Sequence, residues 1–216
     1  ISVIAVVAAL FHIYTGVAGP YTGTLQRSMH MGLLFPLCFL VIPASKNPRI
    51  RKFTDYIDIL LAVAIITSTS YLVIHYDEII RRIGVTMPIE VVLGIITILL
   101  VIEAVRRSCG LILAIVAMAF LVYALTGPYL PAFLTHRGYS LSRIASQMYL
   151  TTEGIFGMPL GVAANYIVLF VIFGEVLNAS GAGKVFMDLA FSRTAWARGG
   201  PAKSAGVASG LVGHSS

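Results

Sequence analysis

The residues best placed for chemistry stand near the end of the sequence. Ala202, Gly206 and Gly210 recur every four positions, as do Ala205, Ser209 and Gly213, giving an apolar helix two stripes along which another backbone can come close. That helix then breaks at Gly213-His214-Ser215-Ser216. A broken helix in an apolar setting exposes carbonyls and hydroxyls, and hard cations take oxygen ligands, so Ser209, Ser215, Ser216 and nearby carbonyls are candidate sodium ligands. Plain helix packing accounts for the same stripes equally well. A second string, Ser180-Gly181-Ala182-Gly183-Lys184, looks like a phosphate-cradling loop but fails at both ends. Asn178 stands where the first glycine belongs and Val185 where a magnesium-binding hydroxyl belongs, so the better reading is a helix stopped by Gly181.

The remaining polar candidates are few. Glu90 falls in the first turn of an apolar run, where the helix dipole favours a carboxylate. Glu103 precedes Arg106 and Arg107 by three and four residues, the spacing of a salt bridge on one helix face. Glu175 lies about one turn inside the end of another apolar run, where it serves equally as a coupling group or as a side chain reaching the interface. His12 has no ligand at a useful spacing and reads as a packed neutral histidine, while Cys38 and Cys109 read as small buried packing residues. No catalytic triad, paired metal ligands or carboxylate dyad emerges, so the sequence points away from an enzyme and toward no bound cofactor.

The elements that must carry these residues follow from composition. Of 216 residues, 58% are hydrophobic and 11% charged, where an ordinary soluble domain carries about 25% charged residues. Residues 59–76, 108–136 and 154–174 each run without an Asp, Glu, Lys or Arg. Such stretches are long enough to cross a bilayer as helices, which excludes a soluble enzyme, a nucleic-acid binder and a disulfide scaffold. The expected fold is all-α and polytopic, with about six membrane spans over residues 1–19, 29–45, 57–76, 87–103, 109–127 and 160–178. Gly19-Pro20, Asn47-Pro48 and Gly127-Pro128 punctuate their ends, and Thr86 is the expected cap of the fourth.

Orientation comes from the loops. Lys46, Arg49, Arg51, Lys52, Arg106, Arg107, Lys184, Arg193, Arg198 and Lys203 share one side, against Arg27, Arg81, Arg82, Arg137 and Arg143 on the other. The richer side is expected in the cytoplasm together with the start of the chain, so the net charge of +6 records topology. Residues 139–152 place Leu141, Ile144, Ala145, Met148 and Thr152 on one face, as in an amphipathic helix lying along the outer interface. Residues 184–193 read as a short helix. Residues 202–212 are apolar but too short to span, as at the start of a re-entrant hairpin. Beginning at Ile1 inside an apolar run and ending in a Gly/Ser turn, the sequence reads as a fragment of a longer membrane protein.

Several motifs in order carry a resemblance. Gly127-Pro128-Tyr129-Leu130-Pro131, His136-Arg137-Gly138-Tyr139-Ser140, the run from Tyr149 to Gly161, Ser180-Gly181-Ala182-Gly183-Lys184 and Arg198-Gly199-Gly200-Pro201-Ala202-Lys203 resemble the fused permeases of TRAP transporters. The nearest pattern is the branch that joins a four-helix and a twelve-helix part and works with TAXI-type receptors. The resemblance implies a four-helix, small-subunit-like scaffold over residues 1–108 and a connector helix and outer loop over 109–138. An interfacial arm and the start of the large transport subunit would fill 139–216. It further implies sodium-coupled import of an organic anion, such as a carboxylate, delivered by a periplasmic solute-binding protein to the inner membrane of a bacterial or archaeal cell. Transport would proceed by an elevator-like movement against the scaffold. Gly213 and Ser216 match the family's hairpin tip, where sodium is the coupling ion, whereas His214 and Ser215 depart from it. The competing reading of the same helices is a non-transporting membrane scaffold or assembly subunit.

Overall fold

The computed structural model describes residues 1–44, 48–82, 84–183, 185 and 188, and every regular element among them is helical. In chain order these are α1 (Ser2–Ala18), α2 (Gly23–Val41), α3 (Pro48–Ile74), α4 (Tyr76–Arg81), α5 (Pro88–Ser108) and α6 (Leu111–Thr126). A single 3-10 turn at Gly127–Tyr129 follows, then α7 (Leu141–Leu150), α8 (Met158–Val162), a π-helical turn at Ala163–Ile167 and α9 (Val168–Ala179). The segments Thr54–Ile74, Pro88–Ser108, Leu111–Tyr129 and Met158–Ala179 are each long and apolar enough to cross a membrane, and α1 is apolar but shorter. The protein is a polytopic α-helical membrane protein, the class that its composition indicated.

Three boundaries differ from the hydropathy reading, each for a physical reason. The second span was expected over 29–45, but α2 begins at Gly23 and ends at Val41. Its first turns hold Gln26, Arg27 and His30, which lower hydropathy yet find partners inside the fold, and Ser28, which is buried beside them. The third span was expected from residue 57, but α3 begins at Pro48, whose fixed φ and missing N–H suit the first turn of a helix. Thr86 does not cap the fourth span. Met87 occupies the cap position and Glu90 reaches back to accept its backbone N–H at 2.7 Å, leaving the Thr86 hydroxyl to bond Ser146 at 2.9 Å.

The chain forms two compact units, Ile1–Ala164 and Asn165–Ser216. In the first, α2 lies against α3, and a Cβ added to Gly32 would stand 2.6 Å from Thr69 Oγ1, so the absent side chain sets how close these helices come. The Asp58–Arg107 and Ser68–Thr97 pairs advance in opposite directions along α3 and α5, which fixes these helices as antiparallel. Met31, Phe39, Ile65, Leu72, Leu100, Ala104, Tyr149 and Phe156 close the core between α2, α3, α5 and α7. Cys38 is half-buried at its edge, but Cys109 is exposed, contrary to the buried thiol expected there. Gly110, at φ 98°, lets α6 reverse beside α5.

In the second unit, α9 stops at Ala179 and Gly181 takes φ 73° just beyond the Ser180 cap. Gly181 thus ends the helix as its type foretold.

Candidate functional site

Ser209, Gly213 and Ser216, the candidate sodium ligands, lie outside the described residues, as do Ser215, Lys184 and the tail segments read as a helix and a re-entrant hairpin. Among the described residues of the first unit, three features stand out: an ion cluster at one end, a buried polar ladder, and a strap at the other end built from α7 and the elbow after it.

At the first end, Glu103 takes both neighbouring arginines, as its spacing foretold. Arg106 approaches its two oxygens at 2.7 and 2.8 Å, and Arg107 Nε donates at 2.7 Å. Arg107 then does what local spacing does not show. Its Nη1 lies 2.7 Å from Asp58 Oδ1 and donates to the Ile42 carbonyl at 3.0 Å, while its guanidinium stands over the Phe39 ring. Arg107 and Asp58 are almost fully buried, so α2, α3 and α5 are joined by charges that have given up water for one another.

Along the helices, Thr97 donates to the Leu93 carbonyl at 2.8 Å, which commits its one proton, so Ser68 must be the donor in the bond between the two hydroxyls. In α1 and α2, His12 Nδ1 meets the Ala8 carbonyl at 2.6 Å and therefore carries hydrogen. In the neutral ring Nε2 is then an acceptor, and His30 Nδ1–H donates to it at 2.8 Å. His12 is the packed histidine that the sequence pointed to. Its partner His30 was missed, although a histidine in an apolar run is itself a signal that a partner exists on another helix. At the opposite end, Glu90 is buried and pairs with Arg82 at 3.0 Å as well as capping α5.

The strap begins at Ser140, whose hydroxyl accepts the Arg143 N–H and starts α7. The sequence read residues 139–152 as an amphipathic helix with Leu141, Ile144, Ala145, Met148 and Thr152 on one face. The helix is present and Ile144 and Ala145 are buried, but Tyr149 joins them, Leu141 and Thr152 are exposed, and the helix ends at Leu150. The reason lies in α5. A Cβ on Gly94 would stand 3.0 to 3.2 Å from Ala145 and Tyr149, so a bare backbone there seats α7 against protein. The Tyr149 hydroxyl donates to the Ser68 carbonyl at 2.6 Å, and burial pushes this phenol up from its ordinary range, keeping it a neutral donor.

After α7 the chain turns sharply. Ile155 N–H bonds the Met148 carbonyl and Gly157 N–H bonds that of Gly154, each at 3.0 Å, and a Cβ on Gly154 would collide with Met148 Cα. Arg27 fastens this elbow from α2. Its Nη1 donates to the Phe156 carbonyl at 2.6 Å, and the guanidinium fills the space beside Gly161 in α8. In the second unit Glu175 is exposed and makes no hydrogen bond or ion pair among the described residues, so both of its readings stay open.

Apolar helices of spanning length, tied by buried polar pairs and with no cluster of three or more metal-ligating residues among the described ones, define a polytopic membrane protein. The family model of the tripartite ATP-independent periplasmic transporter DctM component matches residues 96–216, and the chain belongs to this family. It is therefore a membrane permease component, in a family of transporters and not of enzymes, whose systems pair a permease with a periplasmic solute-binding protein. Comparison with curated proteins and with solved structures finds no match to either.

Proposed function

We propose that the chain belongs to a receptor-dependent, sodium-coupled permease that imports an organic anion, with a carboxylate as the substrate class and a TAXI-type solute-binding protein as the partner. Residues 1–108 act as scaffold, 109–138 as connector, and 139–216 as the arm and the start of the transport domain. The start of the chain faces the cytoplasm of a cell with an inner membrane, because ten of the fifteen Lys and Arg residues fall on that side. Sodium is held at a hairpin tip that includes Gly213 and Ser216, with Ser209 behind it.

The observation that carries this reading is the family match over residues 96–216, which takes in the arm, the elbow and the small-residue tail in one continuous stretch. The clamped geometry of Tyr149, Gly154 and Arg27 fits an arm whose root stays on the scaffold. The test is uptake by the permease reconstituted in proteoliposomes. Anion accumulation is expected when both the receptor and an inward sodium gradient are present. Equal uptake after omission of either one defeats the proposal.

A further inference from the structure

Between α5, α6 and α7 lies a groove of about 620 Å³. Ile98 and Ile102 of α5, Phe120 and Leu121 of α6, and Met148 of α7 form its walls. It exists because α7 is drawn onto Gly94 while α6 turns back beside α5 at Gly110, which leaves α6 and α7 apart. Ala117 and Ala124, seven residues apart and so on one face of α6, keep the space open.

Two polar side chains of α7, Arg143 and Gln147, reach this otherwise apolar lining, and Tyr139 stands at its rim. Arg143 is exposed, and its guanidinium has no hydrogen bond or ion pair among the described residues. Arg137 stacks on the Tyr139 ring at 5.7 Å, bringing a second cation to the same rim. No carboxylate lines the groove. Water has few partners along such walls, and an apolar groove in a bilayer-spanning bundle takes up hydrocarbon instead. The rim asks for the opposite chemistry, an anion that a planar guanidinium can hold with two hydrogen bonds. Both demands are met by one molecule with an apolar chain and a phosphate.

We propose that this groove is a binding site for a glycerophospholipid. An acyl chain lies between α5 and α6, and the phosphate rests on Arg143, with the Gln147 amide as a further donor. The bound lipid fills the space between connector and arm and so braces α7 from the side that faces α6. The proposal is independent of the transported substrate and of sodium.

Native mass spectrometry of the purified permease, exchanged against phosphatidylglycerol, diacylglycerol or glycerol phosphate, tests it. Phosphatidylglycerol is expected to be retained, and the other two to be lost because each has one half of the chemistry. Arg143→Gln should lower retention about tenfold, as for loss of a charged hydrogen-bond donor, and Arg143→Lys, which keeps the charge but not the planar fork, should restore only part of it. Ala117→Phe, which fills the groove while leaving Arg143 in place, should lower retention as well. Thermal unfolding of each variant identifies those that remain folded, and the change at Arg143, exposed and with no side-chain partner among the described residues, should leave the unfolding midpoint unchanged. Unchanged retention in folded Arg143→Gln, equal retention of diacylglycerol, or retention of glycerol phosphate alone would overturn the proposal. So would cross-linking of a Gln147→Cys variant to another protein segment inside the groove.

Discussion

The helices α3 and α6 are equally apolar and both long enough to cross a membrane, yet 33% of the spanning window of α3 is buried inside the protein against 11% of that of α6. The difference lies in a few polar positions. On α3, Asp58, Ser68 and Thr69 are all buried, and the first two face partners on α5. On α6, Ala114 is the buried residue, and Ile112 is 82% exposed. Hydropathy decides that a helix enters the bilayer; buried polar groups, each needing a partner, decide which helices hold one another there.

Breaking the held side should cost most. Arg107→Ala strands Asp58 and removes one of the two arginines on Glu103, and the expected loss is about 3–5 kcal/mol of stability, read as a lower unfolding midpoint in detergent. A double substitution that also replaces Asp58 with a similar-sized apolar residue should recover part of it. Next in size is Gly94→Val, which places methyl groups where Ala145 and Tyr149 already stand. It should cost about 1–3 kcal/mol by overpacking and loosen α7, measured by unfolding and by faster proteolysis after Arg143.

Tyr149→Phe should cost about 1 kcal/mol near neutral pH, leaving the Ser68 carbonyl without this donor. It also has a pH signature. Burial raises the phenol above its unfolded value of about 10, so the folded state keeps a proton that the unfolded state releases. Stability is then fully present below that pH and falls as pH rises beyond it. The phenylalanine variant should lack this alkaline loss, and parallel pH profiles for the two proteins would refute the assignment. The smallest effect belongs to the other helix: Ile112→Ala should stay within about 0.5 kcal/mol by the same unfolding measurement.

These contrasts also mark what the sequence can reveal. Glu103 with Arg106 and Arg107, the Ser140 start of α7 and the Gly181 stop of α9 were legible because each is settled within four residues along one chain segment. The Asp58–Arg107, His12–His30 and Arg27–Phe156 links were not, because each depends on the register of two separate elements. The early start of α2 was hidden for a related reason: Gln26 and Ser28 look like loop residues until a neighbouring helix buries them. For α7, periodicity showed an amphipathic helix, but the choice between lipid and protein for its apolar face rested on Gly94, in another helix. For the candidate sodium ligands Ser209, Gly213 and Ser216, the sequence pattern and the family match remain the support.

The central contrast, a polar-tied α3–α5–α7 frame beside an exposed α6, is tested most directly by oxygen accessibility of spin labels in the reconstituted permease. Labels at Ile112 and Val116 on α6 are compared with labels at Ala104 and Thr97 on α5, in variants that retain the parent unfolding midpoint. The account predicts strong relaxation by membrane-dissolved oxygen at the α6 positions and weak relaxation at the α5 positions. Equal accessibility at all four, or the reverse order, would contradict it.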